Sequence, residues 1–221
     1  VLASGGFQGN PQMLVQYQGE ESRYLRPVAK GTHYNKGEGL RMALDLNAAT
    51  AGDWSDSHRQ VIDPRSPMSE AMVNIWPFAM MVNQDGKRFM DEAPTNPFLW
   101  QEKPAQEITK QPGGIAYIIY DEQLASEKES NWQYGIRSEV PPIKADNLNK
   151  LALKLGIPKE QLIHTVEEFN KACVNADKVD YNKGSALTMS FDGAGTENLT
   201  PPKQNYAKPI DQGPYYAYPV I

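Results

Sequence analysis

Val73-Asn74-Ile75-Trp76-Pro77-Phe78-Ala79-Met80-Met81-Val82 runs into Asn83-Gln84-Asp85-Gly86 and then Lys87-Arg88-Phe89-Met90-Asp91-Glu92. The first run is strongly apolar, the second is a turn signal, and the third resumes an extended pattern. Together they predict a β-hairpin. Downstream, Gly113-Gly114 precedes Ile115-Ala116-Tyr117-Ile118-Ile119-Tyr120, the clearest strand of the chain. Asp121 is placed to cap a short helix after it.

Helices flank this strand region. Asn10-Pro11 marks a start, with Met13, Leu14 and Tyr17 as the buried face and Gly19 as the stop. Leu148, Leu151, Ala152 and Leu155 share one face of a helix over 146–155 that Gly156 ends. Pro158 opens another, with Leu162, Val166 and Phe169 inward and Glu160, Glu167, Glu168 and Lys171 on a solvated face. These two form a helical hairpin.

Between the first helix and the apolar run lie two loops. Gly31-Thr32-His33-Tyr34-Asn35-Lys36-Gly37-Glu38-Gly39 opens directly onto a helix carrying Leu40, Ala43 and Leu44. A glycine loop at a helix N-terminus suits an anion or a ring edge. Residues 51–60 form a short extended or turn segment with Trp54 and His58. Residues 177–214 are rich in Gly, Pro, Asn and Asp and show little periodicity. So long a loop is uncommon in a compact domain, and it is expected to wrap a neighbouring domain outside this chain. Val1-Leu2-Ala3-Ser4-Gly5-Gly6-Phe7 reads as a buried strand ending on a glycine turn. Tyr215 to Ile221 reads as an apolar strand. Both ends look like cuts through something larger.

Composition narrows the function classes. The 221 residues carry a net charge of −5 and no basic tract, so no nucleic-acid footprint is visible. The single cysteine, Cys173, excludes an internal disulfide and a cysteine-held metal. It reads as a small apolar residue on a helix. A reducing, cytoplasmic compartment fits. No apolar run approaches the length of a membrane helix. There is no phosphate-binding loop, nucleophile elbow or dinucleotide fingerprint. Three histidines lie far apart in sequence and make no case for a metal site. His164 sits on the helical hairpin as a surface or boundary residue. His33 and His58 lie in loops, and Arg88 follows the turn.

Read in order, these segments resemble the fumarate reductase and succinate dehydrogenase flavoprotein family. The resemblance rests on Val-Leu-Ala-Ser-Gly-Gly-Phe, Asn-Lys-Gly-Glu-Gly before a helix, a lone His in a short extended stretch, and Asn-Gln-Asp-Gly-Lys-Arg-Phe-Met-Asp-Glu. Asp192-Gly193-Ala194-Gly195-Thr196, Pro201-Pro202-Lys203-Gln204-Asn205-Tyr206-Ala207 and Tyr216-Ala217-Tyr218-Pro219-Val220 look like its tricarballylate-dehydrogenating branch.

The resemblance implies an α+β capping domain with a mixed small sheet and a helical hairpin, and remnants of an FAD-binding domain at both ends. The implied boundaries are 1–30 for the edge of the FAD-binding domain, 31–215 for the cap and 216–221 for a return strand. FAD is the implied cofactor. Ser4, Gly5 and Gly6 match the turn that lies against it, and Asn35, Gly37, Glu38 and Gly39 match the loop that borders the flavin ring. Lys36 stands for the usual Thr and Glu38 for the usual Asp.

His58 matches the cap-side substrate histidine, Arg88 the Arg of a Gly-x-Arg-Phe turn, and His33 is a further catalytic candidate. Asn96 falls where fumarate reductases carry an Arg proton donor. Asn cannot transfer a proton in that way, so a different base is needed. The implied reaction is dehydrogenation of a small polycarboxylate, tricarballylate to cis-aconitate in its most specific form, with an electron acceptor that the sequence does not identify. Two alternatives stay open: the same family acting on an enone, steroid or fumarate-like substrate, and a binding module without catalysis. The piece alone is expected to be inactive.

Overall fold

The computed structural model describes residues 1–94, 100–128, 135–181 and 192–221. Four strands, β1 (Met80–Asn83), β2 (Ala116–Asp121), β3 (Ile143–Ala145) and β4 (Tyr215–Val220), form one sheet in the order β1-β2-β4-β3. Every neighbouring pair is antiparallel, which corrects the expected mixed sheet. Each strand enters beside its neighbour from the opposite end, so no parallel crossover is needed.

All six residues of β2 are buried, because both faces of the sheet are covered. On one face Ile118 and Tyr120 join Trp76, Phe78, Met81, Tyr216 and Tyr218. On the other, Tyr117 and Ile119 meet Met80, Val82 and the helices α5 (Leu148–Leu155) and α6 (Lys159–Ala172). Successive side chains of a strand point to opposite faces, which splits the core in two. The helical hairpin is as expected. Asn147 Oδ1 accepts from the Lys150 amide at 2.9 Å, and Gly156 ends α5 in a left-handed conformation. Leu162, Val166 and Phe169 are the buried face of α6.

The hairpin expected at 83–86 is half right. The turn is present, with the Asn83 amide donating to Lys87 O and the Gly86 amide to Asn83 O, each at 3.0 Å. Lys87–Glu92 is not a strand, however, and β1 pairs with β2 instead. The Glu92 carboxylate folds back and accepts the Met81 amide at 2.9 Å. A side chain thus occupies the donor that a hairpin partner would use.

The second correction concerns 177–214. Its described parts, 177–181 and 192–214, pack on this chain's own core, with Val179, Tyr181, Ala194 and Tyr206 in it. Lys203 is fully buried and donates through Nζ to the carbonyls of Pro77 at 2.7 Å and Ala79 at 2.9 Å. Asn205 Nδ2 donates to Ala93 O at 2.8 Å. The segment is a strap held by buried polar anchors, which is why its apolar periodicity is poor. The third correction is at the start. Val1–Gly5 is exposed and has no strand, because it finds no partner strand among the described residues.

Around the sheet lie α1 (Pro11–Gln18), α2 (Glu38–Asp45), α3 (Lys103–Thr109) and α4 (Glu122–Lys128). Asn10 caps α1 by accepting from the amides of Gln12 and Met13, and Asp121 Oδ1 accepts from Gln123 in α4. No helix among the described residues is long and apolar enough to cross a membrane.

Candidate active site

The glycine loops at 4–9 and 33–39 are locked together. A Cβ on Gly39 would fall 2.3 Å from Ser4 Oγ, and one on Gly9 2.2 Å from His33 O. The His33 carbonyl is backbone, so Gly9 is fixed by close backbone approach, whereas at Gly39 the Ser4 hydroxyl would have to rotate away. The Gly9 amide donates to Asn35 O at 2.8 Å, and Asn10 Nδ2 donates to Lys36 O at 2.9 Å. Gly37, at φ +78°, turns the second loop into α2. The structure therefore brings Ser4, Gly5, Gly6, Asn35, Gly37, Glu38 and Gly39 into one assembly.

A cavity of about 910 Å³ opens beside it, with Gly6 and Phe7 on one wall and the segment 51–60 on another. Of these seven residues Gly6 lines the cavity; Ser4 and Gly5 precede it and are exposed, and Glu38 is exposed in the first turn of α2. Bare backbone at a cavity edge, next to a helix N-terminus, fits a planar ring system carrying anionic groups. These residues are compatible with FAD.

Three aromatic rings tie the walls together. Phe7 stacks on Trp54 at 5.9 Å, and Tyr17 meets Trp54 edge-on at 4.8 Å. This pins the segment that carries His58 to the Ser4–Gly6 loop.

His58 lines the cavity, and both its ring nitrogens are engaged. Nδ1 lies 2.5 Å from Glu102 Oε1, and Nε2 lies 2.9 Å from Gln60 Nε2. An amide nitrogen only donates, so Nε2 is the acceptor and Nδ1–H points to Glu102. A carboxylate on Nδ1 fixes the tautomer and leaves the Nε2 lone pair as the accepting side, the arrangement in which imidazole serves as a proton acceptor.

Arg59 was missed by sequence reading. It lines the same cavity and is half-buried. Its Nε donates to Ser57 Oγ at 3.1 Å and its Nη2 to Gln18 Oε1 at 3.4 Å. Ser57 Oγ also donates to Gln18 Oε1, at 3.2 Å. Burial lowers the Arg59 pKa, opposed by Asp56 and Glu102; an arginine stays charged regardless. The signal available was adjacency to His58. Gln18 and Glu102 gave none, because they arrive from distant parts of the chain.

The other candidates lie elsewhere. Arg88 is buried away from the cavity lining. It donates to Glu92 at 2.7 Å and 3.2 Å, and to the carbonyls of Met90, Pro201 and Pro202. Its five contacts bind the strap to the turn. His33 is exposed against Tyr34, with ring centroids 3.8 Å apart, and does not line the cavity. Asn96 lies outside the described residues.

Comparison with known proteins follows the same lines. A family model described as FAD binding domain matches residues 1–221. A probable fumarate reductase, Ifc3, of Shewanella frigidimarina (strain NCIMB 400) is 34% identical over 177 residues, covering 77% of this chain and 27% of the relative. The 4-oxocyclohexanecarboxylate 2-dehydrogenase of Sinomonas cyclohexanicum is 29% identical over 241 residues, covering 100% of this chain and 39% of the relative. Among solved structures, the open conformation of a flavocytochrome c3 fumarate reductase superposes with a TM-score of 0.67 at 27% identity, over 100% of this chain and 34% of that one. The chain thus spans between a quarter and two-fifths of the length of these proteins.

Proposed function

The chain belongs to the FAD-binding-domain family, and on that premise we propose that it is part of a flavin-dependent oxidoreductase that dehydrogenates a small carboxylic acid. In this reading residues 31–215 are the substrate cap, and 1–30 and 216–221 adjoin the rest of the FAD-binding domain. Ser4, Gly5 and Gly6 would hold FAD from one side, with Asn35, Gly37, Glu38 and Gly39 on the other. Bound FAD supplies the two-electron acceptor; the protein's part is to bind, orient and deprotonate the substrate.

His58 is the proton acceptor. Glu102 holds its Nδ1–H, and Nε2 takes a proton from the substrate carbon next to an activating carbonyl or carboxylate once Gln60 yields. Asn96 cannot fill that role. The observation that carries this reading is the meeting of the Gly6 loop and the Glu102-oriented His58 at one cavity. Tricarballylate, converted to cis-aconitate, is the most specific substrate proposed.

A second reading keeps the reaction and changes the substrate to a cyclic ketone or steroid. The aromatic wall of Phe7 and Trp54 favours it.

The test is anaerobic mixing of the full-length flavoprotein with tricarballylate, succinate and a 3-ketosteroid, following flavin absorbance. Bleaching by an acid is expected, slowed about 100-fold or more by His58→Ala, as for loss of a general base. Bleaching by the steroid alone would overturn the acid substrate. An unchanged rate in the variant would remove His58 as base.

A further inference from the structure

We infer that Arg59 is the residue that selects an anionic substrate in this cavity, gripping a carboxylate while the neighbouring His58 handles the proton. The inference rests on the oxidoreductase reading and names the chemistry its cavity accepts.

Four observations carry it. First, Arg59 and His58 line the same cavity. Second, His58 has both ring nitrogens engaged, by Glu102 and Gln60. It has no donor to spare for a carboxylate. Third, Arg59 makes no ion pair of its own among the described residues. Arg65, Arg88 and Arg137 all have one. A half-buried guanidinium without a carboxylate loses hydration and gains only partial compensation from Asp56 and Glu102. An arriving carboxylate supplies what is missing.

Fourth, the guanidinium is fixed in advance. Ser57 holds Nε and Gln18 holds Nη2, while Nη1 has no protein partner among the described residues. Gln18 is itself anchored, since its Nε2 donates to Asp56 O at 3.3 Å. The end of α1 therefore sets the direction of a cation carried by a different segment. Nη1, with the second hydrogen of Nη2, offers two donors on one planar edge, the geometry that receives a carboxylate. Because the orientation exists before binding, little side-chain entropy is lost on contact. Arg26 also lines the cavity but is exposed, so it adds long-range attraction and little discrimination.

The experiment uses the full-length flavoprotein as wild type, Arg59→Met, Arg59→Lys and Gln18→Leu. Two quantities are read: steady-state KM and kcat, and equilibrium binding to the oxidised enzyme by flavin difference spectra. The probes are tricarballylate, succinate and tricarballylate trimethyl ester. Arg59→Met is expected to weaken acid binding and raise KM by about 100-fold, as when one partner of a desolvated charge pair is truncated, with kcat changed far less. Ester binding should not move. Arg59→Lys should recover part of the loss, and Gln18→Leu should cost the acids several-fold and the ester nothing.

Equal loss for acid and ester, or no loss for either, overturns the inference. If no acid reduces the flavin, the equilibrium titration still decides. Acid binding weakened by Arg59→Met upholds the anion site while the proposed reaction falls. Failure of the wild type to bind any of the acids overturns the anion site, whatever else reduces the flavin.

Discussion

Arg88 Nη2 and Glu92 Oε2 lie 2.7 Å apart, four residues apart in sequence, with both side chains buried. Lys203 Nζ stands 3.7 Å from the same carboxylate oxygen. One buried anion thus serves two buried cations, and it joins the turn after β1 to the strap at 192–214. Burial by itself would push the Glu92 carboxyl up, but Arg88 and Lys203 outweigh it and hold it below its usual value.

Glu92→Gln keeps an acceptor for the Met81 amide and leaves two cations uncompensated. Unfolding free energy should fall by about 3–5 kcal/mol, the usual cost of breaking a buried pair from one side. Urea midpoints of the two proteins measure it. A change under about 1 kcal/mol would mean that the cluster is hydrated.

Acid stability has a defined sign. Burial raises the Asp63 carboxyl, but two bonds from the Arg65 side chain, the Arg65 amide and Ser138 Oγ lower it below its ordinary 3.8. A depressed folded value stabilises fully above the unfolded pKa and is lost as pH falls through the folded one. Stability should therefore decline below about pH 4. Asp63→Asn should be less stable at neutral pH and show a shallower acid limb in unfolding titrations.

The contact between Gly39 and Ser4 is testable by a double change. Gly39→Ala should force the Ser4 hydroxyl out of its place against α2, because its methyl would sit 2.3 Å from Ser4 Oγ. Flavin content per mole of full-length protein should fall. Ser4→Gly on the same background removes the clash and should restore part of the loading. Equal flavin in all three proteins would separate these loops from cofactor binding.

Cys173 ends α6 with its thiol pushed up to about 12 by burial. Reactivity follows the thiolate. The folded protein should resist iodoacetamide at neutral pH and become labelled at one site on unfolding, as read by mass spectrometry. Rapid native labelling would mean that the end of α6 opens readily.

Local signals were legible where local forces decide the structure. The helix start at Asn10, the stop at Gly156 and the buried stripe Leu162, Val166 and Phe169 lie where spacing placed them, while α5 is capped by Asn147 rather than starting at Asp146. The strap was misread because Lys203 and Asn205 look like surface residues, yet they bury against carbonyls far back in the chain. Lys87–Glu92 was misread because a side chain, not a strand, took the Met81 amide. At the candidate site, motif order pointed to the glycine loops and His58, whose segments the structure packs together. Arg59 was not, because what distinguishes it is its pairing with Gln18 across 41 positions of sequence.

The sheet order carries a consequence for how this chain is made. β4 comes last in sequence of the four strands of the sheet and sits between β2 and β3, with Ala217 opposite both Ile119 and Ile143. Until it emerges from the ribosome, β2 and β3 have no contact with each other, and β2 shows an unpaired apolar edge to other nascent chains. The α5–α6 hairpin depends on near neighbours and can form early, but closure of the sheet must wait. What the sheet order asks of the nascent chain is therefore cover for the β2 edge until Tyr215–Val220 is translated.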